Sequence, residues 1–199
     1  MNFQVMGFRF SFPQDIVIDL GAHRGLFAEP LLVQGCSVSA YEPNPVEFAK
    51  LAVLKTRFNN FQCHRVAVGG IHIREVVFTD YGNDGHSSSA YERKGRLYHK
   101  KNTFSAPQLA IDDVLKAHEK VGLLKMNVEG AEMEILSYGS MSLFKRCKQI
   151  VVAFHAGVHK GMSITMPQVE EILYKFRNAG FELTRLEKKG PYYAMENKQ

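Results

Sequence analysis

Short apolar runs alternate with amphipathic segments along the chain, and the alternation dictates the expected elements. Residues 15–20 (DIVIDL) form a β-branched run that stops at Gly21, as a buried parallel strand does. Residues 25–34 suit a helix, which Gly35 closes. Residues 37–42 (SVSAYE) predict a second strand. Asn44 then caps a helix, with Pro45 at its first position and Glu47 placed to complete a capping box. Residues 61–68, 122–128 and 149–155 predict the third, fourth and fifth strands. Helices are expected from Asp112 to about Lys120, over 131–143 and over 167–179. In the last of these, Val169, Ile172, Leu173 and Phe176 share one face. Residues 181–186 and 191–195 are short strands expected to pair antiparallel. The rhythm breaks at about 71–103, where a β-like run and the turn signal Tyr81-Gly82-Asn83-Asp84-Gly85 predict an inserted hairpin or loop.

Strands alternating with helices specify an α/β fold, a mostly parallel sheet covered on both faces. Such sheets bind ligands beyond the carboxyl ends of their strands, where the strand order reverses. The 199 residues suit one domain, taken as 1–199, and 45% hydrophobic with 23% charged residues is globular composition. No apolar run has the length of a membrane helix and no signal-peptide pattern opens the chain, so a soluble, cytoplasmic protein is expected. Cys36, Cys63 and Cys147 are scattered, which argues against a disulfide framework and a zinc site. No acidic cluster has magnesium-site spacing, so a metal-independent reaction is expected. The net charge of +5 is mild.

Chemistry concentrates at the predicted strand tips. After the first strand comes Asp19-Leu20-Gly21-Ala22-His23-Arg24-Gly25. Its glycines permit a tight turn and close backbone approach, and Asp19 suits a cationic amine better than a phosphate. His23 stands where a dinucleotide fingerprint needs glycine, which weakens a nicotinamide dehydrogenase reading. After the second strand comes Glu42, at the distance where an acid accepts both hydroxyls of a ribose. After the fourth, Lys125, Asn127 and Glu129 alternate onto one side. His155 closes the fifth strand, and an unperturbed imidazole has its pKa near neutrality. Residues 91–101 (YERKGRLYHKK) interleave cations with aromatics, a pattern that grips anionic substrates or single-stranded nucleic acid.

DIVIDLGAHRG, AYEPNP, VAVGG, LAIDDVL and LKMNVEGAEMEIL, in that order over about three-fifths of the chain, resemble the FkbM family of S-adenosylmethionine-dependent methyltransferases. The resemblance implies a class I methyltransferase (Rossmann-like) fold: a three-layer sandwich with a seven-stranded, mostly parallel sheet in the order 3-2-1-4-5-7-6. It implies hydroxyl-oxygen methylation with S-adenosyl-L-methionine as cofactor. Carried over by motif, Asp19, Gly21, Ala22, His23 and Gly25 attend the methionine half, and Glu42, Pro43 and Asn44 the ribose. Val66, Ala67 and Val68 wall the adenine, and Ser87 and Ser88 match a small hydroxyl pair. Lys125, Asn127, Glu129 and Glu132 match the signature at the methyl end, while Asp112 matches an acid whose expected job is a helix cap.

Two positions depart from the family pattern: Asn127 where Asp is usual, and His23 where Asn is usual. An amide is no base, so proton removal falls to Glu129, His155 or His86. The expected acceptor is a saccharide or small hydroxylated metabolite. The alternatives are an RNA ribose or cap hydroxyl, favoured by 91–101, and a cofactor-binding protein without turnover, favoured by Asn127. Val128-Glu129-Gly130 lacks the aromatic that would stack a flipped base, which argues against amino-group methylation of bases.

Overall fold

The computed structural model describes residues 3–5, 8–10, 15–80, 88–90, 102–155, 165–186 and 192–198. Phe3–Val5 (β1) and Phe8–Phe10 (β2) pair as an antiparallel ribbon that the sequence pattern did not announce. The central sheet begins with Ile16–Leu20 (β3), Ser37–Tyr41 (β4) and Phe61–His64 (β5). Ala67–Gly69 (β6), Ile73–Asp80 (β7), Ser88–Ser89 (β8) and Asn102–Ala110 (β9) then build a second sheet. The central sheet resumes with Val121–Met126 (β10), Cys147–Ala153 (β11), Phe181–Arg185 (β12) and Tyr192–Asn197 (β13).

The seven strands of the central sheet lie in the order β12-β13-β11-β10-β3-β4-β5. Numbered within that sheet alone and read from its far edge, this is 3-2-1-4-5-7-6, the order the family resemblance implies. β13 runs antiparallel to both β11 and β12, and the remaining pairings are parallel. The chain thus closes as expected, with β13 slotted between its predecessors.

Alternation along the strands sends side chains to two separate cores. Ile18, Leu20, Leu124, Met126, Ile150 and Val152 face one layer, which holds Ile111–Lys116 (α3), Glu132–Tyr138 (α4), Met141–Phe144 (α5) and Met166–Asn178 (α6). Val17, Val38, Ala40, Leu123 and Val151 face the other, with Ala28–Val33 (α1) and Pro45–Ala52 (α2). On α6 the predicted stripe Val169, Ile172, Leu173 and Phe176 is buried throughout.

Several local expectations are corrected. The third strand ends at His64; Ala67 and Val68 leave the central sheet, and β6 pairs with β9 instead. At the insertion β7 and β9 pair antiparallel, and β8 and β6 extend them to a four-stranded sheet in the order β6-β9-β7-β8. Asn44 caps α2 by accepting from the Val46 and Glu47 amides, but Glu47 does not complete the box. Its carboxylate lies 2.8 Å from Lys50 Nζ and 3.1 Å from His23 Nε2. Asp112 sits inside the first turn of α3 and accepts hydrogen bonds from the Ser140 amide and hydroxyl, tying α3 to α5. The helix expected over 131–143 is two, because Gly139 turns extended after α4.

Candidate active site

β3, β4 and β10 end side by side, and the chain leaves each through a constrained turn. Gly21 adopts φ +72°, and its amide and that of Ala22 both donate to the Tyr41 carbonyl. A Cβ on Gly21 would stand 2.0 Å from the Asn127 carbonyl oxygen, so only glycine lets the β3 and β10 turns meet. Gly25, at φ +89°, makes a similar concession to packing: a Cβ would strike Leu54 at 2.6 Å. Ala22 is buried beneath the turn.

A cleft of about 780 Å³, including its open mouth, lies over these tips. Of the expected residues Gly21, His23, Glu42, Pro43, Ala67, Val68, Asn127 and Glu129 line it, as does Val66. Tyr41, Phe78, Ala90, Gln108, Val128 and Ala131 complete the wall and were not anticipated. Phe78 and Gln108 belong to the inserted sheet. Phe78 lies between Val77 and Thr79 and Gln108 between Pro107 and Leu109, so the sequence carries no signal that either faces the cleft.

Glu42 stands just beyond β4. Its Oε2 accepts from the His23 amide at 2.8 Å and its Oε1 from the Asn44 amide at 2.9 Å. Both oxygens are thereby fixed while each keeps a further lone pair. Burial pushes the carboxyl up to about 7, against the opposing pull of those two amides and of Lys125. His23 itself has φ +53°, and its ring turns towards Glu47.

Asp19 and Lys125, expected beside the ligand, pair with each other. Asp19 is fully buried with Oδ1 2.7 Å from Lys125 Nζ. The ammonium also donates to the Leu20 carbonyl at 3.3 Å and the Gly21 carbonyl at 2.8 Å. All three of its protons are used in tying the glycine turn to β10, and neither residue reaches the cleft wall. The pair ties the glycine turn to β10. Asp19 Oδ2 and Asn127 Oδ1 are buried with no hydrogen-bond partner among the described residues, and Asn127 lines the cleft.

The third cluster gathers at the β10 turn. Glu132, fully buried, accepts from the Val128 and Gly130 amides, each at 3.1 Å. Its Oε1 is 2.7 Å from His155 Nδ1. A carboxylate only accepts, so Nδ1 carries the proton. The opposite ring nitrogen, Nε2, then faces Glu129 Oε1 at 3.5 Å. Glu129 has φ +56°, and the Ser89 hydroxyl donates to its carbonyl at 2.8 Å. Ser89 is the hydroxyl the structure brings to this turn. Ser88 is placed by strand pairing with Asp80, while Ser87, His86 and the basic segment 91–101 lie outside the described residues. The two carboxylates address opposite nitrogens of His155 and so do not converge as metal ligands, and no other such group occurs among the described residues. No helix among them is long and apolar enough to cross a membrane.

Comparison with solved structures supports the same architecture. A candidate rRNA methylase from Clostridium thermocellum superposes with TM-score 0.53 at 14% identity, covering 94% of this chain and 88% of that one. The Methanococcus jannaschii fibrillarin pre-rRNA processing protein gives 0.50 at 14% identity, covering 94% and 70%. At such identities the likeness bears on the fold, which is that of class I methyltransferases. No match was found among curated proteins. Residues 19–183 match the model of the methyltransferase FkbM domain, and with that match running from the end of β3 into β12 the chain belongs to the FkbM methyltransferase family.

Proposed function

We propose that the protein is an S-adenosylmethionine-dependent methyltransferase acting on a hydroxyl oxygen of a saccharide or small metabolite. The observation that carries this reading is Glu42, held at the β4 tip by two backbone amides with lone pairs left for a diol, beside a glycine turn and an apolar wall. The residues present fit an adenosyl group: the carboxylate suits ribose hydroxyls, Val66 to Val68 suit a base, and the unpartnered Asn127 Oδ1 awaits a donor. When bound, S-adenosylmethionine supplies a methyl group activated by its sulfonium centre.

The chain's own contribution is placement and proton acceptance. Glu129, on the cleft wall, takes the proton of the acceptor hydroxyl as the oxygen gains the methyl group. His155, oriented by Glu132 with its ring proton on Nδ1, stands behind Glu129 and offers the Nε2 lone pair to take on the proton that Glu129 has accepted. A base of this kind contributes about 10²–10⁴-fold, the rest coming from holding oxygen and methyl carbon in line. Asn127 positions and does not abstract.

Calorimetry with S-adenosylmethionine on the parent chain and on Glu42→Ala tests the reading. Binding that the substitution weakens by tenfold or more is expected. An absence of binding by the parent chain overturns it.

A further inference from the structure

Gln108 is the one polar side chain on the part of the cleft wall formed by Val66, Ala67, Val68 and Phe78, among the described residues. It belongs to β9, where it sits opposite Ala67 of β6 and Ile73 of β7, on the same side as buried Ala106. A buried amide in an apolar wall is costly unless its polar atoms are used. Its Nε2 donates to the Ile71 carbonyl at 3.0 Å. A carbonyl accepts only from the amide's NH₂, so this bond fixes which way the group faces. Gly69 makes room for it, since a Cβ there would lie 2.3 Å from Nε2 and 2.7 Å from Oε1. Oε1 accepts no hydrogen bond among the described residues and is not among the polar atoms sealed from the cleft.

We infer that Gln108 is a specificity-determining residue, whose Oε1 accepts from the exocyclic amino group of a purine and selects a 6-amino over a 6-oxo base. The inference rests on the cofactor reading above and deepens it. With Glu42 set to hold the ribose, the apolar wall carrying Gln108 is left to receive the flat base. A 6-oxo base presents an acceptor at the position of the amino group, so two oxygens would face each other. Rotation of the amide to relieve this would aim Oε1 at the Ile71 carbonyl and lose the bond that Nε2 makes. A site arranged to accept a donor therefore rejects the analogue that lacks it.

The test measures dissociation constants of S-adenosylhomocysteine and S-inosylhomocysteine by calorimetry, for the parent chain and for Gln108→Met. The parent is expected to favour the adenosyl compound by about tenfold or more. Gln108→Met, of similar length but without the acceptor, is expected to bring the two within about twofold. Equal affinity of the parent for both compounds overturns the inference without any variant, and leaves the cofactor reading standing. A preference that survives in Gln108→Met, with the variant's unfolding transition intact, also overturns it, since another group then reads the base. A parent that binds neither compound overturns the cofactor reading, and this inference with it.

Discussion

The carbonyl oxygen of Asn127 occupies the place where any side chain on Gly21 would begin, 2.0 Å from the would-be Cβ. The two strand tips that frame the cleft are therefore in backbone contact. Gly21→Ala is expected to destabilise by about 2–4 kcal/mol, from positive φ and steric overlap combined. Gly35 has φ +88° with nothing among the described residues within 4 Å of where a methyl group would stand, so Gly35→Ala is expected to cost only about 1 kcal/mol. Urea unfolding of the two variants checks the difference, and equal losses would show that the contact is not decisive.

The buried pair Asp19–Lys125 predicts strong non-additivity. Removing one partner leaves the other charged and dry, at a cost of about 3–5 kcal/mol. Asp19→Asn and Lys125→Met are each expected to lose that much, and the double variant to lose clearly less than their sum. A double-mutant cycle on unfolding free energies reads the coupling. Additive losses would mean that the pair contributes little as a pair.

Glu42 links pH to both stability and binding. Its carboxyl titrates near 4.5 in the unfolded chain and at about 7 in the fold, where burial raises it. Between those values the native state holds the extra proton, so the group's contribution to stability is greatest in acid and falls as pH rises through about 7. The total is on the order of 3 kcal/mol. Glu42→Gln is expected to flatten unfolding free energy between pH 5 and 7.5. In the parent, affinity for S-adenosylhomocysteine is expected to rise across the same interval, because the ionised carboxylate accepts hydroxyl protons on both oxygens.

His155 separates binding from turnover. It lies behind Glu129 and does not line the cleft. His155→Ala is expected to leave S-adenosylhomocysteine affinity within about twofold while methyl transfer to a hydroxyl acceptor falls roughly 10²-fold or more. Glu132→Gln is expected to lower turnover as well, since it loosens the ring's fixed tautomer. Isotope-edited NMR of the His155 ring nitrogens supplies an activity-free check of that tautomer.

The central strands were legible because they are buried on both faces and read as apolar runs; residues 15–20 are the clearest case. Glu42 was legible by its distance from the glycine turn. The Asp19–Lys125 pair was not, because sequence spacing places two charged residues at neighbouring tips but does not say whether they face a ligand or each other. Ser89 and Gln108 were hidden for a different reason: they belong to the inserted sheet, whose position over the cleft depends on pairing between distant segments. Glu47 and Asp112 show the limit of capping rules, because a nearby cation and a serine on another helix compete for the same carboxylates.

β9 is hydrogen-bonded to β6 on one side and to β7 on the other, while those two earlier strands do not pair with each other. Strand pairing of β6 therefore depends on β9 alone among the described residues, although Val68 also packs into the core beside α4. The β6–β9 ladder thus joins the apolar flank and the glutamine within it. Amide exchange along β6 and β9 should accordingly slow and quicken as one cooperative unit, apart from that of β3 and β10.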